Sequence, residues 1–289
     1  MVYVRSLLAL AKPGIVFSVS FTGFAGMVLS AGAIPAADVV LLALFALISS
    51  ASGAAIINNV LDRKVDVRMR RLEGRVEALS IVGERNALSI AILLIGLSLV
   101  VALYFFNPLT ALLIVIAVLS YTTLYTLYLK RSSPYGTILG GLPGALPVLI
   151  GSAAVNPVLG IQAWILFVLM MLWQPPHFWS LAQMYKDDYS KAGIPVLPVA
   201  FGSKYTNVMM LAYSLSLIPV SLSLWFFGYL SQYYAISAIL IGLYFQYIMV
   251  RSVLRDGYYG RVFGASIVYI LGIMLAVVLD VLLSPVKPV

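Results

Sequence analysis

Nine apolar stretches constrain this chain more than any other feature of its sequence. Each is almost free of charge and about 20 residues long, the length that crosses a bilayer core of about 30 Å at 1.5 Å per residue. The chain is therefore predicted to be an all-α integral membrane protein. The predicted spans are residues 14–33, 38–58, 86–106, 108–129, 136–155, 160–181, 206–230, 233–250 and 263–283.

The composition is that of a membrane protein. Hydrophobic residues make up 62% of the chain and charged residues 10%, whereas a soluble domain carries about 25% charged residues. Once the apolar stretches are set aside, too little remains for a soluble domain, so we expect one membrane domain over residues 1–289. The N-terminal stretch lacks a small-residue cleavage site and is interpreted as the lead-in to the first span. The absence of cysteine excludes disulfides and thiolate metal sites.

The basic residues fall on one side of this nine-span arrangement. Of the 18 lysines and arginines, all but Lys287 lie before the first span or in loops that follow even-numbered spans. Because cytoplasmic loops carry the excess of basic residues, the N-terminus and the long loops are predicted to be cytoplasmic and the C-terminus outside, in a cell membrane. Attraction to anionic lipid headgroups accounts for most of the net charge of +8, so no nucleic-acid partner is expected.

The loop after the second span contains an acidic motif in "IINNVLDRKVDVRMRR". Asn58, Asp62 and Asp66 are four residues apart, so they share one face if the helix continues past the membrane. Like charges at that spacing repel unless a hard cation such as Mg²⁺, which bridges carboxylates to phosphates, lies between them. The neighbouring arginines suit phosphate oxygens, although the sidedness of charge also explains them. The acidic residues contribute little to topology, so the motif predicts a metal–phosphate site.

A second acidic pair lies in the loop after the sixth span, on the same predicted side. Asp187 and Asp188 stand between Lys186 and Lys191 and repeat the chemistry of the first loop. Two such clusters facing one diphosphate would form a metal clamp. The alternative for the pair taken alone is a solvated loop or a helix N-terminus.

His177, the only histidine, lies near the inner end of the sixth span. Pro175 and Pro176 are expected to break the helix there, and one interpretation is a histidine held by a hydrogen bond at that break. The other is functional, because ionisable residues inside a membrane mark functional sites and imidazole is a ligand of haem iron. The residues alone favour neither.

The stretches "NNVLDRKVDVRMRR", "QPPHFWSLAQMYKDDYSKAGIPVLP" and "GRVFGASIVYILGIMLAVVLD" resemble the UbiA family of intramembrane prenyltransferases. The "PPHFW" and "KDDY" stretches resemble its haem O synthase branch in particular. The resemblance implies nine helices around a central cavity open to the cytoplasmic side, Mg²⁺ as cofactor and a farnesyl or geranylgeranyl diphosphate donor. It also implies haem B as the acceptor, converted to haem O by attack of a vinyl group, and haem A synthase or oxidase assembly as the next step.

The same resemblance assigns roles to residues. It implies Asn58, Asp62 and Asp66 as the first metal–diphosphate site, Asp187 and Asp188 as the second, and His177 as a candidate for binding haem. The candidates for contact with diphosphate are Lys12, Arg63, Arg71, Lys186 and Lys191. The candidates for stabilising an allylic cation with an aromatic face, each with membrane-facing or packing roles as the alternative, are Tyr121, Tyr125, Tyr128 and Trp173.

Two departures and two rivals accompany the resemblance. Leu72 and Arg75-Val76 stand where the haem branch usually has Thr and Arg-Pro, so diphosphate contacts beyond Arg71 are not carried over. A UbiA-type enzyme that prenylates an aromatic quinone precursor or a lipid would share the phosphate chemistry and differ only on the acceptor side. A transporter is disfavoured, because the acidic residues lie at cytoplasmic helix ends instead of the membrane midplane.

Overall fold

The computed structural model describes residues 1–255 and 257–284, and all regular structure in that part of the chain is helical. Lys287 lies outside the described residues. The helices are α1 (Val2–Ala11), α2 (Pro13–Ala31), α3 (Ala37–Asp66), α4 (Glu73–Val82), α5 (Glu84–Phe106), α6 (Pro108–Ser132), α7 (Gly136–Val155), α8 (Ile161–Met184), α9 (Lys186–Lys191), α10 (Leu197–Phe226), α11 (Gln232–Arg255) and α12 (Tyr259–Leu283).

Nine of the described helices are long and apolar enough to cross a membrane, which confirms the predicted number and order of spans. The short helices α1, α4 and α9 lie in the segments that join or precede the spans. The second span differs from its prediction: α3 continues eight residues past the predicted end at residue 58, as far as Asp66. Hydropathy detects where a helix leaves lipid, but backbone hydrogen bonding continues into the polar segment beyond.

The expected helix break at Pro175 and Pro176 is wrong. Helix α8 runs without interruption from Ile161 to Met184, with both prolines inside it and both buried. A proline in a helix removes one amide donor but keeps a helical φ angle, and neighbouring helices compensate for the lost bonds in a membrane bundle. Helix α8 has such neighbours, since it packs against α7, α10 and α12. His177 is consequently part of a regular helix.

The helices pack as two connected groups. Helix α3 packs against α5, and α2 lies between α3 and α7. Helices α8, α10, α11 and α12 form the second group, which joins the first through contacts of α8 with α7 and of α12 with α2. The cytoplasmic opening of a cavity between them stays a prediction.

Helices α2 and α7 touch through their backbones. A Cβ atom at Gly26 would lie 2.3 Å from the carbonyl oxygen of Val148, and one at Gly151 would lie 1.9 Å from the carbonyl oxygen of Gly23. The Ser152 hydroxyl donates to the carbonyl of Gly26 across the same joint at 3.0 Å. Small residues allow such close approach of helices in membranes. This joint anchors α2, whose first turn follows Lys12.

Asp280 has a structural role far from the acidic motif. Its buried carboxylate accepts hydrogen bonds from the backbone amides of Ser231 at 2.8 Å and Tyr234 at 3.2 Å, and from the Ser231 hydroxyl. These groups lie at the start of α11, where unpaired amides and the helix dipole favour a negative charge. Asp280 therefore caps a neighbouring helix.

The glycine joint predicts a specific loss of stability. Gly26→Ala should destabilise the protein by about 1–3 kcal/mol, because the new methyl group overpacks a backbone contact. Gly96→Ala is the matched control, since nothing lies within 4 Å of a Cβ atom at that helical position. Thermal unfolding in detergent measures both changes. Equal melting temperatures for the two variants would contradict the close packing of α2 on α7.

Candidate active site

The acidic motif lies on one face of α3 at its polar end. Asn58, Asp62 and Asp66 are all buried, although they belong to the most highly charged stretch of the chain. The helix continues through Asp66, so the four-residue spacing stacks the three side chains as predicted. Burying carboxylates is costly unless charged or hydrogen-bonding partners surround them, and the charged partners of Asp62 come from another helix.

Asp62 is neutralised by two basic residues at the end of α6. The Lys130 ammonium lies 2.5 Å from Oδ2 of Asp62, and the Arg131 guanidinium lies 3.3 Å from Oδ1. The sequence interpretation missed both residues, because it assigned them to the sidedness of charge. The available signal was a basic pair directly after a span, on the same predicted side as the acidic motif.

Lys12 reaches the motif from the break between α1 and α2. Its ammonium donates to Oδ1 of Asn58 and, at 3.2 Å, to the Tyr121 hydroxyl. With a φ angle of 56°, Lys12 is the one non-glycine residue in the described ranges that adopts a left-handed conformation, which costs roughly 1–2 kcal/mol. Burial, followed by repulsion from Arg75 and Lys130, lowers the pKa of Lys12 to about 7. A phosphate anion beside this ammonium would stabilise its charged form.

Asp66 carries the clearest sign of an unmet interaction. Its Oδ1 atom is buried and has no hydrogen-bond partner among the described residues. Residues 1–255 and 257–284 hold no group of three histidine, aspartate or glutamate side chains arranged for one metal ion. Mg²⁺ needs no such group, because it is commonly held by one or two carboxylates together with substrate phosphates. The motif fits that kind of site, and Mg²⁺ binding stays a prediction.

Arg71 connects the two acidic loops. Its backbone amide donates to Asp188 at 3.3 Å, and its guanidinium donates to the Tyr189 hydroxyl at 2.8 Å. The guanidinium also lies over the rings of Tyr185 and Tyr189, 5.1 Å from each centroid. Burial raises the pKa of Tyr189, so its phenol stays protonated. The second acidic loop is therefore joined to the first at Arg71, and a metal clamp formed by the two acidic clusters stays a prediction.

The other candidate residues of the two loops are not paired with the acidic motif on α3 in the described part of the chain. In the described part of the chain, no hydrogen bond or ion pair joins Asp187, Lys186 or Lys191 to the motif on α3, and Asp187 and Lys191 are exposed. Arg63 pairs with Glu84 at an exposed position on α5. Contact of Lys186, Lys191 and Arg63 with diphosphate thus stays a prediction, as does contact of Asp187 with a metal ion. Arg75, which the sequence interpretation did not carry over, lies near enough to Lys12 to lower its pKa.

The aromatic candidates separate into three environments. Tyr121 and Tyr125 on α6 stack with centroids 6.2 Å apart, and the Tyr121 hydroxyl reaches Lys12 beside the motif. Tyr128 is 65% exposed, which agrees with the membrane-facing alternative and not with a lining role. Trp173 is buried against His177. Only the Tyr121–Tyr125 pair is close to the acidic motif.

His177 is held between two aromatic rings within the second helix group. Its imidazole stacks on Trp173 at 4.4 Å and on Phe263 at 4.5 Å. Its Nδ1 atom lies 2.7 Å from the Ser266 hydroxyl oxygen, and that hydroxyl donates to the carbonyl of Phe263 at 2.6 Å. With the serine hydrogen directed to Phe263, Nδ1–H is the donor to Ser266, which leaves a lone pair on Nε2. Ser266 was not found from the sequence.

Known sequences resemble the chain over most of its length. The model of the UbiA prenyltransferase family matches residues 19–263. The protoheme IX farnesyltransferase of Geotalea uraniireducens is 42% identical over 259 residues, covering 90% of this chain and 100% of the relative. That of Aquifex aeolicus is 41% identical over 240 residues, covering 83% and 82%.

Solved structures share the fold. One described as digeranylgeranylglyceryl phosphate synthase superposes with a TM-score of 0.79 at 19% identity, covering 97% of this chain and 99% of the other. A UbiA homolog from Archaeoglobus fulgidus, bound to GPP and Mg²⁺, superposes with a TM-score of 0.66 at 17% identity, covering 94% and 99%. At such low identity these neighbours inform the fold alone.

Proposed function

Because this chain belongs to the UbiA prenyltransferase family, we propose that it transfers a farnesyl or longer prenyl group from a prenyl diphosphate to a vinyl group of haem B, giving haem O. The relatives named for this activity match the chain almost end to end. The observation that carries the donor half of the proposal is the buried Asn58–Asp62–Asp66 face, ringed by Lys12, Lys130 and Arg131.

The donor site binds and activates the diphosphate. Asn58, Asp62 and Asp66 would hold Mg²⁺, with Asp187 and Asp188 as the second acidic cluster; when bound, Mg²⁺ supplies positive charge that stabilises the departing diphosphate. Lys12 and Lys130, which now pair with Asn58 and Asp62, are placed to turn toward phosphate oxygens. Arg71 ties the second loop to the first and completes the basic surroundings.

The reaction then proceeds through charge separation. The carbon–oxygen bond of the prenyl diphosphate breaks, and its electron pair leaves with the diphosphate. The haem vinyl group supplies the electrons for the new carbon–carbon bond, and water adds to the resulting cation and loses a proton. The stacked faces of Tyr121 and Tyr125 would stabilise the allylic cation. Water must stay out until the bond has formed, since it would otherwise quench that cation.

His177 supports haem as the acceptor. Its Nδ1–H is committed to Ser266, so the Nε2 lone pair is free to bind the iron of haem. Stacking on Trp173 and Phe263 fixes the plane of the ring. An aromatic quinone precursor or a lipid acceptor would have no use for such a ligand. We place the active-site loops on the cytoplasmic face of the plasma membrane, with haem A synthase or oxidase assembly receiving the product.

A reconstituted assay tests the proposed reaction. Purified protein incubated with haem B, farnesyl diphosphate and Mg²⁺ should yield hydroxyfarnesylated haem, detected by mass spectrometry of the extracted pigment. Geranylgeranyl diphosphate in a parallel reaction tests the chain length. Prenylation of a hydroxybenzoate, with haem left unaltered, would contradict the acceptor and favour a quinone-precursor enzyme.

The acidic motif predicts that replacing one of its aspartates can lower activity without lowering stability. Asp62→Ala and Asp66→Asn should lower turnover by at least about 100-fold, the scale of losing one electrostatic group of an active site. Asp66→Asn should not lower the melting temperature, because Oδ1 of Asp66 makes no hydrogen bond that folding relies on within the described residues. Asp38→Asn, at an exposed position, is the control and should retain full activity. Near-wild-type turnover of Asp66→Asn would exclude the metal assignment.

The position of His177 predicts that its replacement weakens the binding of haem and not that of the prenyl diphosphate. His177→Ala should weaken haem binding by about 10-fold or more while leaving the KM for farnesyl diphosphate unchanged, because the side chain contacts Trp173, Phe263 and Ser266 and not the α3 motif. Haem titration followed by absorbance, together with steady-state kinetics, measures both effects. Equal weakening of both substrates would point to a structural histidine.

A further inference from the structure

Helix α6 is widened where it faces the acidic motif. From Ser120 to Leu129 its backbone is π-helical, a form in which backbone hydrogen bonds span five residues. In an α-helix, residues three and four apart are neighbours, whereas a π-helical segment stacks residues that are five apart. Such segments are rare and are frequently found at functional sites. The widening brings Tyr121 and Thr126 onto one face.

Three side chains of this face each contact one member of the site. Tyr121 meets Lys12 at 3.2 Å, the fully buried Thr126 meets Asn58 at 2.9 Å, and Lys130 meets Asp62 at 2.5 Å. Tyr121 and Lys130 carry groups that can bind an anion or stabilise a cation. The Thr126 hydroxyl directs its hydrogen to a backbone carbonyl of α6, so its contact with Asn58 calls for a different explanation.

Hydrogen bonds to Asp62, Thr126 and Lys12 determine which way the Asn58 amide faces. The amide nitrogen of Asn58 donates one hydrogen to Oδ2 of Asp62 and the other to the Thr126 hydroxyl, both at 2.9 Å. The Thr126 hydroxyl donates its hydrogen to the carbonyl of Tyr121 at 2.8 Å. Toward Asn58 its oxygen therefore acts as the acceptor. A flipped amide would face the carboxylate of Asp62 with an oxygen. Oδ1 of Asn58 is therefore directed toward the Lys12 ammonium.

We propose that Thr126 is a positioning residue, which fixes the Asn58 amide so that its Oδ1 faces the cation of the donor site. In this structure the ammonium of Lys12 occupies the position in front of that oxygen. The inference rests on the proposed function in one respect, the binding of a divalent cation at the α3 motif. Residues that orient a metal ligand in this way affect metal affinity by about 10–100-fold when they are replaced.

The test measures Mn²⁺ binding by electron paramagnetic resonance, on detergent-solubilised protein with the unreactive farnesyl thiolodiphosphate present. Thr126→Val keeps the side-chain shape but removes the acceptor, and should weaken Mn²⁺ binding by about 10–100-fold. Thr126→Ser keeps the hydroxyl and should restore binding to near the wild-type level. Should Thr126→Val not fold, Thr126→Ala removes the same acceptor without a branched side chain and should show the same loss.

Thr122→Val is the matched control. Thr122 is buried in the same π-helical segment, but its hydroxyl donates to the carbonyl of Val118 within α6, at 2.7 Å. This variant should bind Mn²⁺ like the wild type. Equal loss in Thr122→Val and Thr126→Val would show that both act only through the fold of α6, and wild-type affinity in Thr126→Val would overturn the proposal.

The proposal and the proposed reaction fail in different ways. A wild-type protein that binds no Mn²⁺ would overturn the role of Thr126 and the metal assignment together. A wild-type protein that binds Mn²⁺ but prenylates an acceptor other than haem would contradict the proposed reaction. In that case the predicted order of Mn²⁺ affinities among the Thr126 and Thr122 variants still holds.

Discussion

The burial of Asp62 against Lys130 at the polar end of a membrane-spanning helix is the interaction on which the rest of the site depends. A carboxylate removed from water needs charged partners, and this one receives them from the end of α6. That requirement fixes α6 beside α3 and brings Tyr121, Thr126 and Lys130 to face the acidic motif. Lys12 completes the cluster from the junction of α1 and α2.

Asp280 and Asp66, two of the buried aspartates, lie at opposite ends of the bundle and have different roles. Asp280 accepts three hydrogen bonds from the start of α11, so both of its carboxylate oxygens have partners within the fold. Asp66 has a buried oxygen with no partner within the described ranges, and Lys12 beside it holds a left-handed backbone conformation. Uncompensated groups and backbone strain persist at functional sites because the surrounding structure enforces them. The unpartnered oxygen and the strained backbone therefore indicate a ligand-binding site at the polar end of α3.

The sequence predicted well those features that follow from lipid and helix geometry. Apolar stretches of sufficient length fixed the number of spans, and a spacing of four placed Asn58, Asp62 and Asp66 on one face. Features that depend on tertiary packing were not predictable. The continuous helix through Pro175 and Pro176 relies on neighbouring helices. Lys130 and Arg131 could not be assigned to the site, because the sidedness of basic residues already explained their presence. Hydrophobic periodicity does not reveal the π-helical segment of α6. The contact of Thr126 with Asn58 is therefore visible only in the structure.

An experimental structure with Mn²⁺ and farnesyl thiolodiphosphate tests the central claim most directly, because anomalous scattering locates the metal without assumption. We predict a Mn²⁺ peak within about 2.0–2.6 Å of oxygens from Asp62 or Asp66 and from the diphosphate, with Lys130 or Lys12 moved onto the phosphates. A diphosphate bound elsewhere, with Lys130 still paired to Asp62 and no metal at the α3 motif, would contradict this prediction.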